Sequence, residues 1–404
     1  MEPYQRITLV YAVFSFASVL TDPVFSLYLN QQGYSAVWVG IILSSFSLVS
    51  IVVTPIIGNI SDSWGRKPLV VAGIFITVFS YAVYSVFHSP LIIFATRGLE
   101  AIGYYLVVLV AVSKLEDIAM QQKKNVMQRL GMGLSIGKIG YVLGPLVGGV
   151  LAAHYGIISP FVATAIVMLG LGAWYVCTKT HPYPKLPLDA QAFNPIPKIN
   201  EFLRIRPFKG LAIMAFVFNF SLAAMFVFLP LYIVKDLHLG IEAVGIAFFV
   251  QQIPMLLQFI GGKATDQFGN KKMMFLGLVL VSLGLVGVGL SKTFEGVLVA
   301  LFINGAGQSL FGISALSLLS SMGQKLKREA TFLGGQVSIS RIGSFVGYLV
   351  TGIIVAGSDI STLFVLCGVF ILLGVIVAEE FLISHPQYLP HPLRVIYTLF
   401  HPPR

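Results

Sequence analysis

The chain has 404 residues, of which 56% are hydrophobic and only 10% charged, and its formal net charge is +10. Soluble domains carry about a quarter charged residues, so this composition excludes a soluble globular protein and indicates an integral membrane protein. The two cysteines, Cys177 and Cys367, both lie in apolar runs, and they are too few for a disulfide scaffold or a metal cluster. We expect no metal and no other cofactor.

Twelve stretches of about 20 mostly apolar residues follow one another, which is the length that an α-helix needs to cross a bilayer. The first has no small-residue cleavage site and is therefore expected to be a retained span. A central segment rich in Pro, Lys and Arg, residues 179–209, separates six stretches from six. The predicted spans are 7–29, 36–58, 68–88, 91–114, 130–153, 158–178, 210–234, 241–262, 273–291, 294–321, 331–356 and 361–383.

Lys and Arg concentrate on one set of loops, whereas the alternate loops carry only Lys235 and Lys292. The positive-inside rule predicts a multi-pass cell-membrane protein whose two termini and central loop are cytoplasmic. The excess positive charge is then a topology signal, and we expect no nucleic-acid partner. The basic loop residues are Arg66, Lys67, Lys123, Lys124, Arg129, Lys263, Lys271, Lys272, Lys325, Lys327 and Arg328.

The two halves of the chain repeat each other. "GNISDSWGRK" at Gly58 matches "GKATDQFGNK" at Gly262, and "LGMGLSIGKIGYVLGPLVGG" at Leu130 matches "LGGQVSISRIGSFVGYLVTG" at Leu333. We predict an all-α membrane protein of two pseudo-symmetric six-helix bundles, residues 1–178 and 210–384, with a cytoplasmic tail at 385–404. The matched pairs are Asp62 and Asp266, Gly65 and Gly269, Lys67 and Lys271, and Lys138 and Arg341.

Three motifs resemble those of the major facilitator superfamily. The loop "GNISDSWGRK" is similar to the family's G-x-x-x-D-R-x-G-R-K motif, with Ser63 at the first Arg. "RGLEAIG" in the fourth span is similar to R-x-x-q-G-x-g, with Glu100 and Ala101 at the usual Gln and Gly. The glycines and Pro145 of the fifth span have the complete spacing of the motif found in drug:proton antiporters. The resemblance covers essentially the whole chain and implies a twelve-span transporter of that branch.

Two of these motifs are expected to act in conformational gating. In the first, a carboxylate caps a neighbouring helix and the basic residues bridge the two halves; the alternative is a basic loop that only fixes topology. In the second, small residues form a close seam, expected against the other half; the alternative is generic helix packing. The predicted gating residues are Gly58, Asp62, Gly65, Arg66, Lys67 and Asp266, and then Gly140, Gly144, Pro145, Gly148 and Gly149.

Five ionisable residues lie deep in the predicted spans: Asp22, Arg97, Glu100, Lys138 and Arg341. Buried membrane charges usually pair or face a watery cavity. We predict that Asp22 and Glu100 couple transport to protons, with Arg97 tuning them; static ion pairs that fix helix packing are the alternative. Pairs of Asp22 with Arg97 and of Glu100 with Lys138 would leave Arg341 free for an anionic group of a substrate.

Polar and aromatic residues on the same spans are candidate substrate ligands, although such a residue taken singly more often forms a hydrogen bond between helices. Asn304 stands roughly where Arg97 stands in the first half, so the halves are not equivalent there. The predicted substrate-binding residues are Lys138, Arg341, Phe25, Tyr28, Asn219, Gln251, Asn304 and Gln308.

The sequence thus favours a monomeric proton-coupled exporter of amphipathic small molecules or drugs that works by alternating access. The alternatives are symport or uniport of a small organic anion, and flipping of a lipid. A receptor or membrane enzyme is disfavoured because the spans carry no Ser/His or Asp/Asp pair. No G-x-x-x-x-G-K-[ST] phosphate loop is present, which argues against ATP-driven transport.

Overall fold

A computed structural model describes residues 2–121, 126–178, 196–325 and 329–383. The regular structure in these ranges is helical, and a π-helical turn, Tyr232–Asp236, follows α9. The α-helices are α1 (Pro3–Ser18), α2 (Phe25–Gln31), α3 (Ala36–Trp64), α4 (Arg66–Val86), α5 (Pro90–Gln121), α6 (Val126–Tyr155), α7 (Ser159–Cys177), α8 (Ile196–Arg204), α9 (Arg206–Leu231), α10 (Ile241–Leu256), α11 (Gln258–Phe268), α12 (Asn270–Leu290), α13 (Phe294–Lys325), α14 (Glu329–Gly357) and α15 (Ile360–Ile383).

Helices occur at all twelve predicted spans. Among the described residues, ten helices are long and apolar enough to cross a membrane, and α10 with α11 forms an eleventh candidate that is bent by 52°. The first predicted span is divided between α1 and α2, and neither is long enough alone. The count of twelve spans and the division into two bundles therefore remain predictions. Helix α8 lies inside the predicted central loop; the rest of that loop and the tail fall outside the described residues.

The first span is interrupted at residues 19–24 because the backbone there forms tight turns instead of α-helix. The amide of Asp22 donates to the carbonyl of Val19 (3.3 Å), and that of Val24 donates to the carbonyl of Thr21 (3.0 Å). Pro23 contributes no amide hydrogen to this segment. Interrupted helices are tolerated at membrane depth where they line a cavity. Asp22 therefore lies on a non-helical segment of the span, and its side chain does not follow the direction that a continuous helix would give it.

The packing of the helices follows the internal repeat. A Cβ placed on Gly140 of α6 would lie 2.8 Å from the carbonyl oxygen of Ala12 in α1, and a Cβ on Gly343 of α14 would lie 2.6 Å from that of Phe216 in α9. Ala12 and Phe216 are 204 residues apart (216 − 12), which is the offset of the first repeated motif. Glycines at equivalent positions of the two repeats thus allow equivalent pairs of helices to pack backbone against backbone.

The glycines of α6 pack mainly against helices of their own half. The prediction that this seam would lie against the other half is therefore wrong for most of these glycines. Gly140 and Gly144 lie against α1 and Gly148 against Leu20 just after it, whereas Gly149 lies against Gly245 of α10. Residues three or four apart share one helix face, while the next residue points about 100° away. Of the predicted members, Gly149 and the backbone of Pro145 therefore reach the second half.

Two seams of small residues join the repeats. A Cβ on Gly149 of α6 would lie 2.8 Å from the Cα of Gly245 in α10. In the other seam, between α3 and α14, a Cβ on Gly352 would lie 2.8 Å from the carbonyl oxygen of Ala36. Such close approach leaves no room for side chains, so these helices contact each other through their backbones.

Gly148→Ala is expected to destabilise the protein by about 1–3 kcal/mol, because the new methyl group would overlap the carbonyl of Leu20 in the break that follows α1. The measurement is the thermal unfolding midpoint of the purified protein in detergent. Gly170→Ala on α7 is the matched control, because nothing lies within 4 Å of the added atom. Equal midpoints for the two variants would contradict the contact between α6 and α1.

Candidate functional site

A cavity of about 260 Å³ lies between the repeats, with lining residues from both. Its walls come from the break in the first span and from α2, α3, α5, α6, α9 and α14. The charged lining residues are Asp22, Arg97, Glu100 and Arg341; the aromatic ones are Phe25, Phe46, Tyr104, Tyr105, Tyr141, Phe226 and Tyr348; and the other polar ones are Ser18, Ser26, Ser47, Asn219 and Ser344.

Arg97 and Glu100 form an ion pair on one wall of the cavity. Nη1 of Arg97 donates to both carboxylate oxygens of Glu100, at 2.9 and 2.7 Å. The hydroxyls of Tyr81 and Tyr84 on α4 donate to the same carboxylate at 3.1 and 2.7 Å. The Arg97 guanidinium also lies 4.4 Å above the ring of Phe25. Glu100 is therefore held by four donated hydrogen bonds.

These contacts replace the two ion pairs predicted from the sequence. Arg97 and Glu100 are three residues apart on α5, so they occupy one face of the helix and pair locally. Lys138 instead donates to the side-chain oxygen of Gln258 on α11. The expected pairs of Glu100 with Lys138 and of Asp22 with Arg97 are therefore wrong.

Asp22 is half-buried and its side chain borders the cavity. Its carboxylate has no hydrogen bond or ion pair within the described part of the chain. Arg97 and Glu100 are charged groups that interact with it, and they pair with each other. The site therefore contains a carboxylate that is able to accept a proton or a cationic group.

Arg341 enters the cavity from α14, in the second repeat, and its guanidinium lies 5.2 Å from the centre of the Tyr105 ring on α5. Its Nε is buried and has no hydrogen-bond partner in the described ranges. The expectation that Arg341 would lack a carboxylate partner is met within those ranges.

A family model described as Major Facilitator Superfamily matches residues 7–256 and 236–394. The chain belongs to the Major Facilitator Superfamily. It is 28% identical over 372 residues to an uncharacterized MFS-type transporter of Methanocaldococcus jannaschii, covering 88% of this chain and 92% of that protein. It is 24% identical to the class C tetracycline resistance protein of Escherichia coli, covering 79% and 80%. The solved nucleoside transporter NupG superposes with a TM-score of 0.74 at 13% identity, covering 94% and 99%.

The superfamily fold places only some of the predicted ligands around the cavity. Phe25 and Asn219 line it. Tyr28 is not among the lining residues: it is fully buried, and its hydroxyl donates to the Tyr84 carbonyl at 2.7 Å. Lys138 is likewise absent from the lining, so direct substrate binding by these two residues finds no support in this geometry.

Three predicted amide ligands form a network between helices of the second repeat and are not part of the cavity lining. Gln251 and Gln308 both donate to the side-chain oxygen of Asn304, at 3.3 and 2.6 Å, and Asn304 donates to the Val281 carbonyl at 3.0 Å. The alternative of a hydrogen bond between helices therefore describes them. Asn304 is 204 residues from Glu100 (304 − 100), and so it corresponds to Glu100 and not to Arg97.

The predicted gating loop fastens helices of one repeat to each other. Arg66 forms an ion pair with Asp117 of α5 at 2.5 Å. Lys67 donates to the carbonyls of Val176 and Thr178 at the end of α7, and Lys271 donates equivalently to Leu382 of α15 at 2.6 Å. A cation at these carbonyls complements the negative end of the helix dipole.

The other predicted gating residues of this motif and its repeat are Gly58, Asp62, Gly65 and Asp266. Gly65 separates α3 from α4 with φ +93°, which favours glycine, and Asp266 is exposed. The side chain of Asp62 and the surroundings of Gly58 lie outside the described residues. The described contacts of Arg66 and Lys67 stay within the first repeat, so the predicted bridge between halves is not among them.

Lys138 supplies a bridge between the repeats instead, through Gln258. Lys138→Met and Gln258→Leu are each expected to destabilise the protein, and the double variant should cost less than their sum by about 1.5–3 kcal/mol, because each single change leaves one polar partner unsatisfied. The measurement is a double-mutant cycle of unfolding free energies in detergent. Lys263→Met, at an exposed lysine of α11, is the control, and an additive cycle would show that no such bond exists.

Several residues of the site were not predicted, chiefly Tyr81, Tyr84, Tyr105 and Gln258. Tyr81 and Tyr84 are three residues apart and share one face of a predominantly apolar helix. Two hydroxyls on one face of a membrane helix need hydrogen-bond acceptors. This pattern could have indicated that Tyr81 and Tyr84 bond to a buried carboxylate such as Glu100.

Proposed function

We propose that the protein is a secondary active transporter that exchanges protons for small amphipathic molecules by alternating access between two six-helix bundles. The observation that carries the proposal is Asp22, a carboxylate without a described partner at a helix break beside a cavity between the repeats. Intramembrane carboxylates that border cavities are typical of proton pathways. Broken helices at the interface of repeats are typical of transporter binding sites.

Asp22 is favoured over Glu100 as the residue that carries the proton. Protonating Glu100 would remove the counter-charge of Arg97 and would disturb the bonds from Tyr81 and Tyr84. Both oxygens of the Glu100 carboxylate are already engaged by the guanidinium and the two hydroxyls. Asp22 has no such attachment. We therefore assign Arg97 and Glu100 to the architecture of the site and assign coupling to Asp22.

Competition at Asp22 accounts for exchange. A cationic or hydrogen-bond-donating group of a substrate and a proton both bind the same carboxylate, and each excludes the other. By linkage, substrate binding then releases a proton and proton binding releases the substrate. A carrier that reorients with either one bound exchanges them across the membrane.

The glycine seams supply a gate on the predicted topology. Gly149, Gly245 and Gly352 then lie toward the outer ends of their helices, and the repeats meet there through their backbones. Contacts of this kind would close the outer side. Opening of the outer side requires both seams to separate.

Transport of a small organic anion is the second candidate, and Arg341 favours it. An anion at Arg341 would favour a proton on Asp22, so the two would travel together and the coupling would be symport. No feature of the cavity specifically favours lipid flipping. Its volume of about 260 Å³ is small for a lipid.

The test is flux into proteoliposomes with an imposed pH gradient and a pH-sensitive dye inside. Tetracycline, a quinolone and chloramphenicol are the first probes, because proteins named for resistance to them are similar in sequence to this chain. Exchange predicts proton movement opposite to the drug and its loss with a protonophore. Movement in the same direction would favour symport, and flux that ignores the gradient would exclude proton coupling.

A further inference from the structure

Two opposite charges border the cavity without pairing. Asp22 comes from the break in the first span, and Arg341 comes from α14 in the second repeat. The other two charges of the lining, Arg97 and Glu100, neutralise each other. The cavity thus presents one negative and one positive side chain, and neither has a hydrogen bond or ion pair in the described part of the chain.

Both charges are only partly hydrated. Each side chain is of intermediate exposure, and Nε of Arg341 is buried without a described hydrogen-bond partner. An uncompensated charge in a membrane interior costs free energy, which a ligand of opposite charge recovers. A ligand with one charge would satisfy only one of the two residues, and a neutral ligand would satisfy neither.

The rest of the lining favours a flat ring between the two charges. Aromatic side chains come from the first repeat at Phe46, Tyr104 and Tyr141, and from the second at Phe226 and Tyr348. Phe226 is 204 residues from Asp22 (226 − 22), so an aromatic ring occupies the position equivalent to the carboxylate. Aromatic walls bind aromatic ligands by stacked or edge-on contact.

We propose that the substrates are small amphoteric aromatic molecules, whose acidic group binds Arg341 and whose protonated amine binds Asp22. The proposal rests on the transport function proposed above and names its substrate class. The amine is then the group that competes with the transported proton, while Arg341 orients the molecule. The titratable groups that interact with Asp22 are the Arg97–Glu100 pair and Tyr104 of α5, Tyr141 of α6, Tyr348 of α14 and Tyr81 of α4, and Arg341 of α14 lines the same cavity.

A set of four matched compounds tests the two contacts separately. The parent is para-(aminomethyl)phenylacetate, which carries both charges. Its N-acetyl derivative keeps only the anion, its methyl ester keeps only the cation, and the N-acetyl methyl ester is neutral. The meta isomer and the longer phenylpropionate extend the series to other separations of charge. Dissociation constants are measured by calorimetry on the purified full chain in detergent at neutral pH.

At least one parent is expected to bind ten or more times tighter than each of its three derivatives. In Arg341→Gln the parent and its methyl ester should bind equally, whereas Arg341→Lys should keep the preference for the parent. In Asp22→Asn the parent and its N-acetyl derivative should bind equally. A general loss of folding does not remove one preference and keep the other. Arg204→Gln, at an exposed arginine of α8, is the matched control.

Two results would overturn the proposal: a singly charged or neutral derivative that binds as tightly as every parent, or no binding by any parent. Flux measurements separate this failure from failure of the transport proposal. If the methyl ester exchanges with protons as well as the parent does, transport stands and the amphoteric preference falls. If the parent binds with the expected preferences but its transport moves no proton, the amphoteric preference is supported and proton coupling is contradicted.

Discussion

Asp22→Asn is expected to abolish accumulation driven by a pH gradient, with at least a tenfold fall in gradient-driven flux into proteoliposomes. Asparagine keeps the size of the side chain but takes up no proton in this pH range. The variant should still equilibrate substrate down its own gradient, with weaker binding because the carboxylate is lost, since the seams are unchanged. Its flux should therefore become independent of the pH difference.

The matched control is Glu295→Gln, which removes an exposed carboxyl from the first turn of α13. It is expected to keep wild-type coupling at the same protein density. Gradient-driven accumulation by Asp22→Asn within twofold of wild type would contradict the assignment of the transported proton to this residue. Coupling would then have to be sought at a carboxyl outside the described site.

Glu100→Gln is expected to destabilise the folded protein by about 3 kcal/mol. The change leaves the Arg97 guanidinium mostly buried, at 16% side-chain exposure, without its counter-charge. Removing one partner of a buried ion pair typically costs about 3–5 kcal/mol, and the cavity moderates this by admitting water. The measurement is unfolding by denaturant in detergent, followed by fluorescence.

The double variant Arg97→Gln with Glu100→Gln should recover most of this loss, because it leaves no unpaired charge. It should also retain proton-coupled flux, since Asp22 is intact. An additive double-mutant cycle would contradict the ion pair. If a folded double variant lost proton coupling, Glu100 would have to be reassigned as a residue that carries the proton.

Hydropathy predicted the positions of the helices because a membrane helix needs a continuous apolar run. The breaks were harder to predict. Pro23 and Pro254 both lie inside apolar runs, and whether such a proline bends, interrupts or merely loosens a helix depends on its neighbours. The hydropathy of residues 7–29 therefore indicated one span where the structure has α1, a turn and α2.

The charged residues of the site were identified from the sequence, but their partners were not. Depth along a helix follows from counting residues, whereas direction around its axis depends on how helices cross. Lys138 and Arg341 correspond in the repeat, yet only Arg341 lines the cavity, because Lys138 turns toward Gln258. The hydroxyls that hold Glu100 come from a different helix, α4, and their register with α5 is set by packing alone.

A single carboxylate without a described partner, Asp22, also limits the energetics of the cycle. One such group carries one proton per turnover. If the exported molecule is amphoteric and carries no net charge, each exchange moves one positive charge inward and is electrogenic. A membrane potential of 100 mV then contributes about 2.3 kcal/mol, or roughly a fiftyfold concentration ratio. The transporter would therefore keep working in an alkaline medium, where the pH difference vanishes and only the voltage remains.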